Sequence, residues 1–408
     1  MSTNVENLSH EHQDNAETQV GTGKDVYMEE KSDSAKTSNT DRKTEVLDRQ
    51  NSQNDTKSHV RSLDSPDYPR RPQKRPTIRN EYCPQRPSNP SRNYAANDSY
   101  NRPQNRREKD VADTVRHHYN ARPEMGLRNR RFSPIINLKR FNNWIKSVLI
   151  NKFTPKKDLV LVLDMGCGKG GDLIKWDKVN VDGYVGIDIA EISVNQARRR
   201  YQNLDASFDA VFYSGDCFST PIYKLLPPDQ RRFDIVSLQF CMHYAFESEA
   251  LARQMLENVS SVLPRGGIMV GTIPSSDRIS YRASKMAPGT LQFGNAIYHV
   301  RFESPPNLSF RPPFGNKYFF YLEDAVSDVP EFVVPFEAFR ALAEDYHLEM
   351  IWQKSFREIF MEEKNSTEFG PLLERMQVID KNGNPGINGP EMEAADFYLA
   401  FAFEKRGV

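Results

Sequence analysis

Cysteine is scarce in this chain, and its spacing excludes the commonest cysteine-based sites. Four of the 408 residues are cysteines, and they stand at Cys83, Cys167, Cys217 and Cys241. No two of them form a C-x-x-C pair, so we expect neither a zinc site nor a disulfide framework. This usage fits a reducing, intracellular compartment. The sequence also lacks a signal peptide and any long apolar run, which predicts a soluble protein with no membrane contact.

The first part of the chain lacks the residues that build a hydrophobic core. All 24 Phe and all three Trp lie after position 130. Asn, Ser, Gln, Asp, Arg and Pro dominate the beginning instead, and such a segment cannot bury enough apolar surface to offset its ordering entropy. We therefore predict a disordered polar tail over residues 1–108 and one folded domain over residues 109–408.

An excess of either charge is also missing, because 55 Lys and Arg balance 55 Asp and Glu. Net charge therefore gives no electrostatic case for a nucleic-acid partner. The second half of the tail differs, since residues 61–108 hold 11 basic against 5 acidic residues. Within it, RRPQKR at Arg70–Arg75 could be a nuclear import signal or an RNA contact, with a solvated linker as the alternative. This basic half could also raise the local RNA concentration in a salt-sensitive way.

A strand, a glycine-rich turn and a helix start follow one another near the middle of the chain. Leu159–Leu163 is an apolar run long enough for a strand buried on both faces, and Asp164 is expected to end it. Gly166–Gly171 then turn the chain, and a helix is predicted from Asp172 onward. Glycines let a ligand approach the backbone closely, and a helix start favours polar ligand groups. The pattern therefore predicts a ligand pocket.

The next predicted strand, Tyr184–Ile187, ends in Asp188, which is placed to accept hydrogen bonds from a ribose diol. The glycine turn satisfies G-x-G-x-x-G, which leaves a dinucleotide fold open. It also satisfies the G-x-G-x-G pattern of S-adenosylmethionine enzymes, with an acid two residues earlier. A phosphate-binding P-loop is excluded, because no Gly-Lys-Ser/Thr follows at the required spacing. A tight turn without a ligand is the remaining alternative.

The rest of the domain alternates between helices and strands. Helical periodicity predicts helices over Val111–His118 and Ile135–Ile150. Five strands alternate with helices from Leu159 to Ile273, which predicts a parallel sheet with right-handed crossovers. Residues 275–330 break this alternation with strand-like segments rich in Tyr and Phe, and we expect an inserted β-rich lobe there. The closing segments LEMIWQKSF and FYLAFAFEK suit a reversed pair of strands at the sheet edge.

One loop near the C-terminus resembles a calcium site without completing it. Asp380, Asn382, Asn384 and Glu391 match positions 1, 3, 5 and 12 of an EF-hand loop, but Pro385 stands where Gly must make the sharp turn. The segment that follows is predicted to be a strand, not a helix. A surface loop is therefore expected here.

Several segments together resemble the eukaryotic mRNA cap guanine-N7 methyltransferases, from about Val111 to the C-terminus. The most specific segments are FNNWIKS and QF-x-x-HY-x-FES, in this order. Further segments that agree with the family are VLDMGCGKGGDL, GIDIAEISV, SGDCF, DVPEFVV and FYLAFAFEK. The resemblance implies an α/β, Rossmann-like, seven-stranded class I methyltransferase fold that binds S-adenosylmethionine and needs no metal. It implies methyl transfer to N7 of the terminal guanosine of 5′-capped mRNA. For such an enzyme we expect a nuclear location, with the tail contacting transcription or capping machinery.

The resemblance also carries roles to single positions of this sequence. Asp164 and Gly166 would hold the methionine part of the methyl donor, Asp188 its ribose hydroxyls and Asp216 its adenine amino group. The full set implied for the methyl donor is Lys146, Asp164, Gly166, Asp188, Asp216, Gln239 and Tyr244. The set implied for the cap and its phosphates is Asn142, Asn143, Lys169, Lys175, Arg200, His243, Glu331 and Tyr398.

The expected chemistry needs no general acid or base. Guanine N7 already presents a lone pair and carries no proton, so catalysis has to come from positioning, to which Tyr244, His243 and Glu331 would contribute. The carboxylate of Glu331 can accept from the N1 and amino protons of guanine and faces the positive charge that develops on the base.

Three other functions compete with this one. A class I methyltransferase acting on a small molecule or protein would not need the aromatic and basic lobe over residues 275–331. An inert RNA-binding module is disfavoured by intact Asp164, Gly166, Asp188 and Gln239. A nicotinamide dehydrogenase would need a hydride-transfer partner, such as a placed His or a Tyr-Lys pair, and the sequence shows none.

Overall fold

The computed structural model describes residues 110–123, 131–387 and 389–407. The predicted tail over residues 1–108, with Arg70–Arg75, lies outside them. The described part starts with two helices, α1 (Val111–Ala121) and α2 (Ile136–Phe153), which confirms the two predicted helical blocks. The buried side of α2 includes Phe141, Trp144, Val148 and Leu149, at the spacing of one helix face.

The central sheet begins with strands and helices in alternation. In chain order these are β1 (Leu161–Met165), α3 (Leu173–Lys178), β2 (Gly183–Asp188), α4 (Glu191–Gln202), β3 (Asp209–Ser214), α5 (Ile222–Leu225), β4 (Ile235–Gln239), α6 (Glu249–Val262) and β5 (Ile268–Pro274). Short 3₁₀ segments lie at Pro228–Gln230 and Met242–Glu247. The five strands confirm the predicted alternation.

The inserted lobe and the closing elements follow β5. They are α7 (Ser276–Ser284), β6 (Gln292–Gly294), β7 (Tyr298–Arg301), β8 (Lys317–Leu322), β9 (Val326–Phe332), α8 (Phe336–Glu344), β10 (Leu348–Ser355), α9 (Phe356–Glu363), α10 (Gly370–Arg375), α11 (Gly389–Ala395) and β11 (Tyr398–Lys405). Strands β6 to β9 form a separate antiparallel sheet in sequential order.

The main sheet has seven strands in the order β10-β11-β5-β4-β1-β2-β3. Strands β1 to β5 are parallel to their neighbours in this group, whereas β11 runs antiparallel to both β5 and β10. This confirms the predicted seven-stranded, Rossmann-like α/β architecture and the closing pair at the edge. The carboxyl ends of β1 to β4 therefore lie along one side of the sheet, where open α/β sheets bind their ligands.

Strand β1 begins two residues later than predicted and contains Asp164 instead of ending before it. Leu159 has a left-handed backbone (φ 59°) and leaves 62% of its side chain exposed, so it does not enter the sheet. Met165 extends the strand opposite Ile187. Strand β3 similarly stops at Ser214, so Asp216 lies in the loop beyond it rather than at the strand end.

The lobe sheet has four strands, and its last strand lies beyond the segments rich in Tyr and Phe. Strand β9 pairs with β8, and Glu331 stands opposite Tyr318. Glu331 therefore belongs to the lobe sheet, one residue beyond the approximate boundary predicted at residue 330. Pro330 lies inside β9, although proline is rare inside sheets.

The loop that resembles a calcium site closes on itself. Asp380 accepts hydrogen bonds from the backbone of Asn382 and Asn384, whereas Glu391 accepts from the backbone N–H of Leu138 on α2. The predicted strand follows as β11, but the short helix α11, which was not predicted, comes before it. Within the described ranges, no helix is both long and apolar enough to cross a bilayer.

Candidate active site

A cavity of about 480 Å³ opens where β1 to β4 end, a size typical of cofactor sites. Helix α1 covers one side of it through Val111, Val115 and Tyr119, and the glycine turn after β1 forms another part of its wall. Eight of the fifteen residues expected to bind methyl donor or cap line this cavity, namely Lys146, Gly166, Lys169, Asp188, Arg200, Asp216, Gln239 and Tyr244.

The glycine turn approaches its neighbours so closely that a side chain does not fit at its first position. Gly166 has φ +76°, and a Cβ there would lie 2.7 Å from the Sγ atom of Cys241. Its N–H donates to the carbonyl of Ile187 at 2.8 Å. The turn thus brings the backbone of β1 and β2 to the cavity wall.

Asp188 is held in place by two backbone donors. Its Oδ2 atom accepts from the N–H of Gly168 and its Oδ1 atom from the N–H of Ala190, both at 2.8 Å. Burial raises the pKa of Asp188, and these two hydrogen bonds oppose that rise. Each carboxylate oxygen keeps a lone pair for a ligand, so the side chain facing the cavity can accept from two hydroxyl groups.

Two lysines converge on Asp172, which sequence reasoning did not single out. The Nζ atom of Lys146 lies 2.8 Å from Oδ2, and that of Lys175 lies 2.8 Å from Oδ1. Burial favours the protonated carboxyl, but the charges of both lysines outweigh it and lower the pKa of Asp172. Asp172 and Lys146 line the cavity, whereas Lys175 turns toward Asn143, whose Oδ1 atom is 2.9 Å away. Only the position of Asp172 directly after the glycine turn could have signalled it.

Asp164 lies behind the cavity wall rather than on it. It is 2% exposed, and its Oδ2 atom accepts from the hydroxyl of Tyr184 at 2.8 Å. Burial and the neighbouring charge of Asp172 raise the pKa of Asp164 to about 7. Its carboxyl therefore carries a proton in much of the population near neutral pH.

Asp164 should make the stability of the ligand-free protein depend on pH. Its pKa in the folded chain, about 7, is above the unfolded value of 3.8, so the folded state binds the proton more tightly. The resulting stabilisation is fully present below about pH 4 and is lost as pH rises through 7. The free energy of unfolding should fall by on the order of 4 kcal/mol over this range. Urea denaturation should show this loss in the unsubstituted protein and not in Asp164→Asn. Asp158→Asn, at an exposed acid before β1, should retain it; a parallel pH dependence in Asp164→Asn would contradict the assignment.

A second group of polar side chains lies beyond the cavity, around Glu331 on the lobe. Glu331 is 4% exposed, and its Oε2 atom accepts from the Tyr318 hydroxyl at 2.7 Å. Its Oε1 atom is 3.5 Å from Nε2 of His243. Both ring nitrogens of His243 are buried without a hydrogen-bond partner among the described residues. Since buried polar atoms are normally paired, this imidazole fits a ligand that supplies the missing partners.

Aromatic rings connect this group with the cavity. The ring centroids of His243 and Tyr244 lie 4.4 Å apart, and the Tyr398 ring meets Phe240 edge-on at 4.9 Å. Burial, and then the charge of Glu331, raise the pKa of Tyr398. Phe240 and Tyr244 line the cavity, whereas His243, Glu331 and Tyr398 do not. The structure therefore arranges the expected methyl-donor and guanine residues as two neighbouring groups.

The residues expected to bind the rest of the cap lie on α2, in the glycine turn, on α3 and on α4. Asn142 has a buried side-chain oxygen without a partner among the described residues. Asn143 donates from Nδ2 to the carbonyl of Lys139 at 2.8 Å. Neither asparagine lines the cavity, in contrast to Lys169 and Arg200.

The contribution of α1 to the site was not foreseen. The hydroxyl oxygens of Tyr119 and Tyr244 lie 3.2 Å apart, and Asn120 accepts from the backbone N–H of Ile192 at the start of α4. Lys169 donates to the carbonyl of Arg122 at 2.9 Å. Periodicity predicted the helix, but only tertiary packing places it over the cavity.

Among the described residues, no group of His, Cys, Asp and Glu could hold a metal ion.

Residues 102–406 match the family model of the mRNA (guanine-N(7))-methyltransferase domain. The chain is 65% identical over 311 residues to an mRNA cap guanine-N(7) methyltransferase of Schizosaccharomyces pombe, with 76% of this chain and 86% of that protein covered. It is 48% identical over 299 residues to one of Cryptococcus neoformans var. neoformans, with 71% and 47% covered. A solved S-adenosylmethionine-dependent methyltransferase from Clostridium acetobutylicum is 13% identical and covers 66% of this chain and 92% of its own, with a TM-score of 0.38. The family match includes every helix and strand described above.

Proposed function

We propose roles for the site residues from the premise that the chain belongs to the mRNA (guanine-N7)-methyltransferase family. It is an enzyme that transfers a methyl group from S-adenosylmethionine to N7 of the guanine cap of mRNA. The observation that carries the proposed roles is the buried Glu331–His243 pair beside a cavity lined by Asp188 and Gly166.

The cavity is proposed to hold the methyl donor. Its volume and the close backbone approach at Gly166 fit a nucleoside with an amino-acid tail. Asp188 accepts from the ribose hydroxyls, and Asp216, in the loop after β3, accepts from the adenine amino group. Lys146 and Asp172 present a paired positive and negative charge, which suits the carboxylate and ammonium groups of the methionine part. When bound, S-adenosylmethionine supplies a methyl group on a positively charged sulfur.

Gln239 and Tyr244 are proposed to complete the pocket near the methyl group. Gln239 is fixed between two strands, since its Nε2 atom donates to Ser237 at 3.3 Å and its Oε1 atom accepts from Thr272 at 3.2 Å. Tyr244 lies between the cavity and the ring of His243. Both side chains line the cavity, and Tyr244 also contacts His243 of the proposed guanine group.

The group around Glu331 is proposed to hold the guanine base. Its carboxylate accepts from the N1 and amino protons, and a ring nitrogen of His243 supplies a further hydrogen bond. Tyr398 provides an aromatic surface at the start of β11, braced by Phe240 and Phe356. The carboxylate also faces the positive charge that develops on the base, so it stabilises the transition state more than the substrate.

Catalysis is proposed to come from alignment of the two sites. No side chain needs to remove a proton from N7, because this nitrogen has a free lone pair. Holding nucleophile and methyl carbon in line can supply ~7–11 kcal/mol of the barrier reduction. Cationic side chains are the usual partners of phosphate groups. The residues proposed to contact the cap and its triphosphate are Asn142, Asn143, Lys169, Lys175 and Arg200.

The assay that tests these roles together uses RNA capped with GpppG, uncapped RNA and labelled S-adenosylmethionine. We expect label only on the capped RNA and only at guanine N7. Label on uncapped RNA or on a protein at a comparable rate would contradict the proposed guanine pocket and favour another substrate class.

Residues 1–108 are proposed to be dispensable for folding and catalysis. The first described element is α1, capped by Asp110, and it already contributes to the cavity wall. We expect a fragment of residues 109–408 to bind S-adenosylhomocysteine within about twofold of the full chain, since every described contact of the site remains. Calorimetry on both proteins makes this test, with residues 124–408 as a control that lacks α1 and should bind weakly. Failure of the 109–408 fragment to bind would show that the boundary is misplaced.

The tail is proposed to direct the enzyme to its substrate. Cap methylation is part of mRNA processing, which favours a nuclear location, with Arg70–Arg75 as the candidate import signal. Contacts between the tail and transcription or capping machinery would place the enzyme near nascent RNA. We expect the enzyme to lose its nuclear accumulation when four basic residues are replaced by alanine, namely Arg70, Arg71, Lys74 and Arg75. Unchanged accumulation would reject this import signal.

A further inference from the structure

Two of the acidic side chains that line the cavity, Asp216 and Glu247, differ in their hydrogen bonding. Asp216 accepts at Oδ1 from the N–H of Phe218 at 2.9 Å and at Oδ2 from Oγ of Ser219 at 2.5 Å. Glu247 is the last residue of the 3₁₀ segment after β4 and lines the same cavity. Within the part of the chain that the structure describes, its carboxylate has no hydrogen bond or ion pair. Glu247 therefore has its full accepting capacity left for a ligand.

The surroundings of Glu247 favour a ligand with N–H donors. Burial raises the pKa of Glu247, the Asp110 charge raises it further, Lys317 lowers it, and Asp216 raises it again. The Nζ atom of Lys317 is paired with Glu303 at 3.0 Å. Its positive charge is therefore shared between Glu303 and Glu247. A donor placed between Glu247 and Asp216 would relieve the repulsion between the two carboxylates.

Apolar side chains next to these acids offer space for a flat ring. Val111 follows Asp110, Phe218 follows Asp216 by two residues, and Leu251 lies in the first turn of α6, four residues after Glu247. All three line the cavity. The combination of apolar walls and convergent acceptors is the usual make-up of a nucleobase site.

We propose that Glu247 accepts one N–H of the adenine amino group of the methyl donor, while Asp216 accepts the other. The inference rests on the proposed position of adenine beside Asp216. The exocyclic amine of adenine offers two hydrogens, and two acceptors on different loops use both. A purine with oxygen at position 6 would instead direct a lone pair at both carboxylates. Glu247 is thus a residue that selects adenine over hypoxanthine.

The test is the ratio of dissociation constants for S-adenosylhomocysteine and S-inosylhomocysteine, measured by calorimetry on the full chain. The unsubstituted protein should prefer the adenine compound by about a hundredfold, since unpaired acceptors at a polar site reject an analogue strongly. Glu247→Gln should lower this preference at least about tenfold, because the amide can donate to the 6-oxygen. Asp216→Asn should lower it similarly.

The controls separate the role of Glu247 from the position of adenine. Glu249→Gln alters a neighbouring exposed acid that pairs with Arg253, and it should leave the preference unchanged. Each ratio compares two ligands on one protein, so partial unfolding of a variant does not imitate the effect. An unchanged ratio in Glu247→Gln beside a lowered ratio in Asp216→Asn would overturn the role of Glu247 and leave adenine beside Asp216. An unchanged ratio in both variants would overturn the position of adenine as well.

Discussion

Glu331→Ala should lower the rate of N7 methylation at least about a thousandfold while the affinity for S-adenosylhomocysteine changes less than about twofold. Two hydrogen bonds to a charged acceptor are lost, each of ~1.5–3 kcal/mol, together with the stabilisation of positive charge on the base. The methyl-donor affinity should persist because Glu331 lies outside the cavity lining. Methyl transfer to capped RNA and calorimetry with S-adenosylhomocysteine measure the two quantities.

Two further variants distinguish lost chemistry from lost structure. Alanine leaves the Tyr318 hydroxyl without its acceptor, whereas the amide oxygen of Glu331→Gln can keep this hydrogen bond. Glutamine removes the charge and replaces the second acceptor oxygen by an NH2 donor. The glutamine variant should therefore fold normally and still lose most activity. Glu323→Ala, which removes another lobe carboxylate that accepts from a tyrosine, Tyr321, should keep near-normal activity. Turnover by Glu331→Ala within tenfold of the parent would remove Glu331 from the guanine pocket.

Gly166→Ala should lower the affinity for S-adenosylhomocysteine by about a hundredfold or more. Its Cβ would stand 2.7 Å from both Cβ and Sγ of Cys241 at φ +76°, so the turn has to shift away from the position where it meets the ligand. The displaced backbone also carries the hydrogen bond from Gly166 N–H to Ile187. Calorimetry measures the affinity, and circular dichroism confirms that the sheet is retained.

Other glycines of the same turn provide matched controls. Gly168 has φ +53° but nothing within 4 Å of an added Cβ, so Gly168→Ala isolates the backbone strain of ~1–2 kcal/mol. Gly171 has neither positive φ nor a close neighbour, and Gly171→Ala should bind nearly as well as the parent. The expected order of affinity loss is Gly166, then Gly168, then Gly171. A loss at Gly171 as large as that at Gly166 would contradict the close-approach explanation.

The fold was accessible from the sequence because its signals are local. Apolar runs of five to seven residues, such as Ile268–Pro274, encode buried strands, and the glycine turn marks where β1 meets α3. The misses have local causes too. Leu159 is apolar but adopts a left-handed backbone, and β3 ends at Ser214, so Asp216 lies in the loop after it.

The site was only partly accessible, because its contacts join distant parts of the chain. Lys146 and Asp172 meet across 26 residues, and no spacing rule relates them. The hydroxyls of Tyr119 and Tyr244 approach across 125 residues, so the position of α1 over the cavity follows only from packing. Glu331 was singled out through the family resemblance, which includes the segment DVPEFVV around it.

The most direct test of alignment without proton transfer is the single-turnover rate of methyl transfer to capped RNA as a function of pH. With enzyme and S-adenosylmethionine in excess, the rate constant should stay within about twofold between pH 7 and 8.5, since N7 needs no base and general-base steps track an ionisation. A tenfold rise per pH unit that disappears in His243→Ala would contradict the account and assign a proton-transfer role to His243.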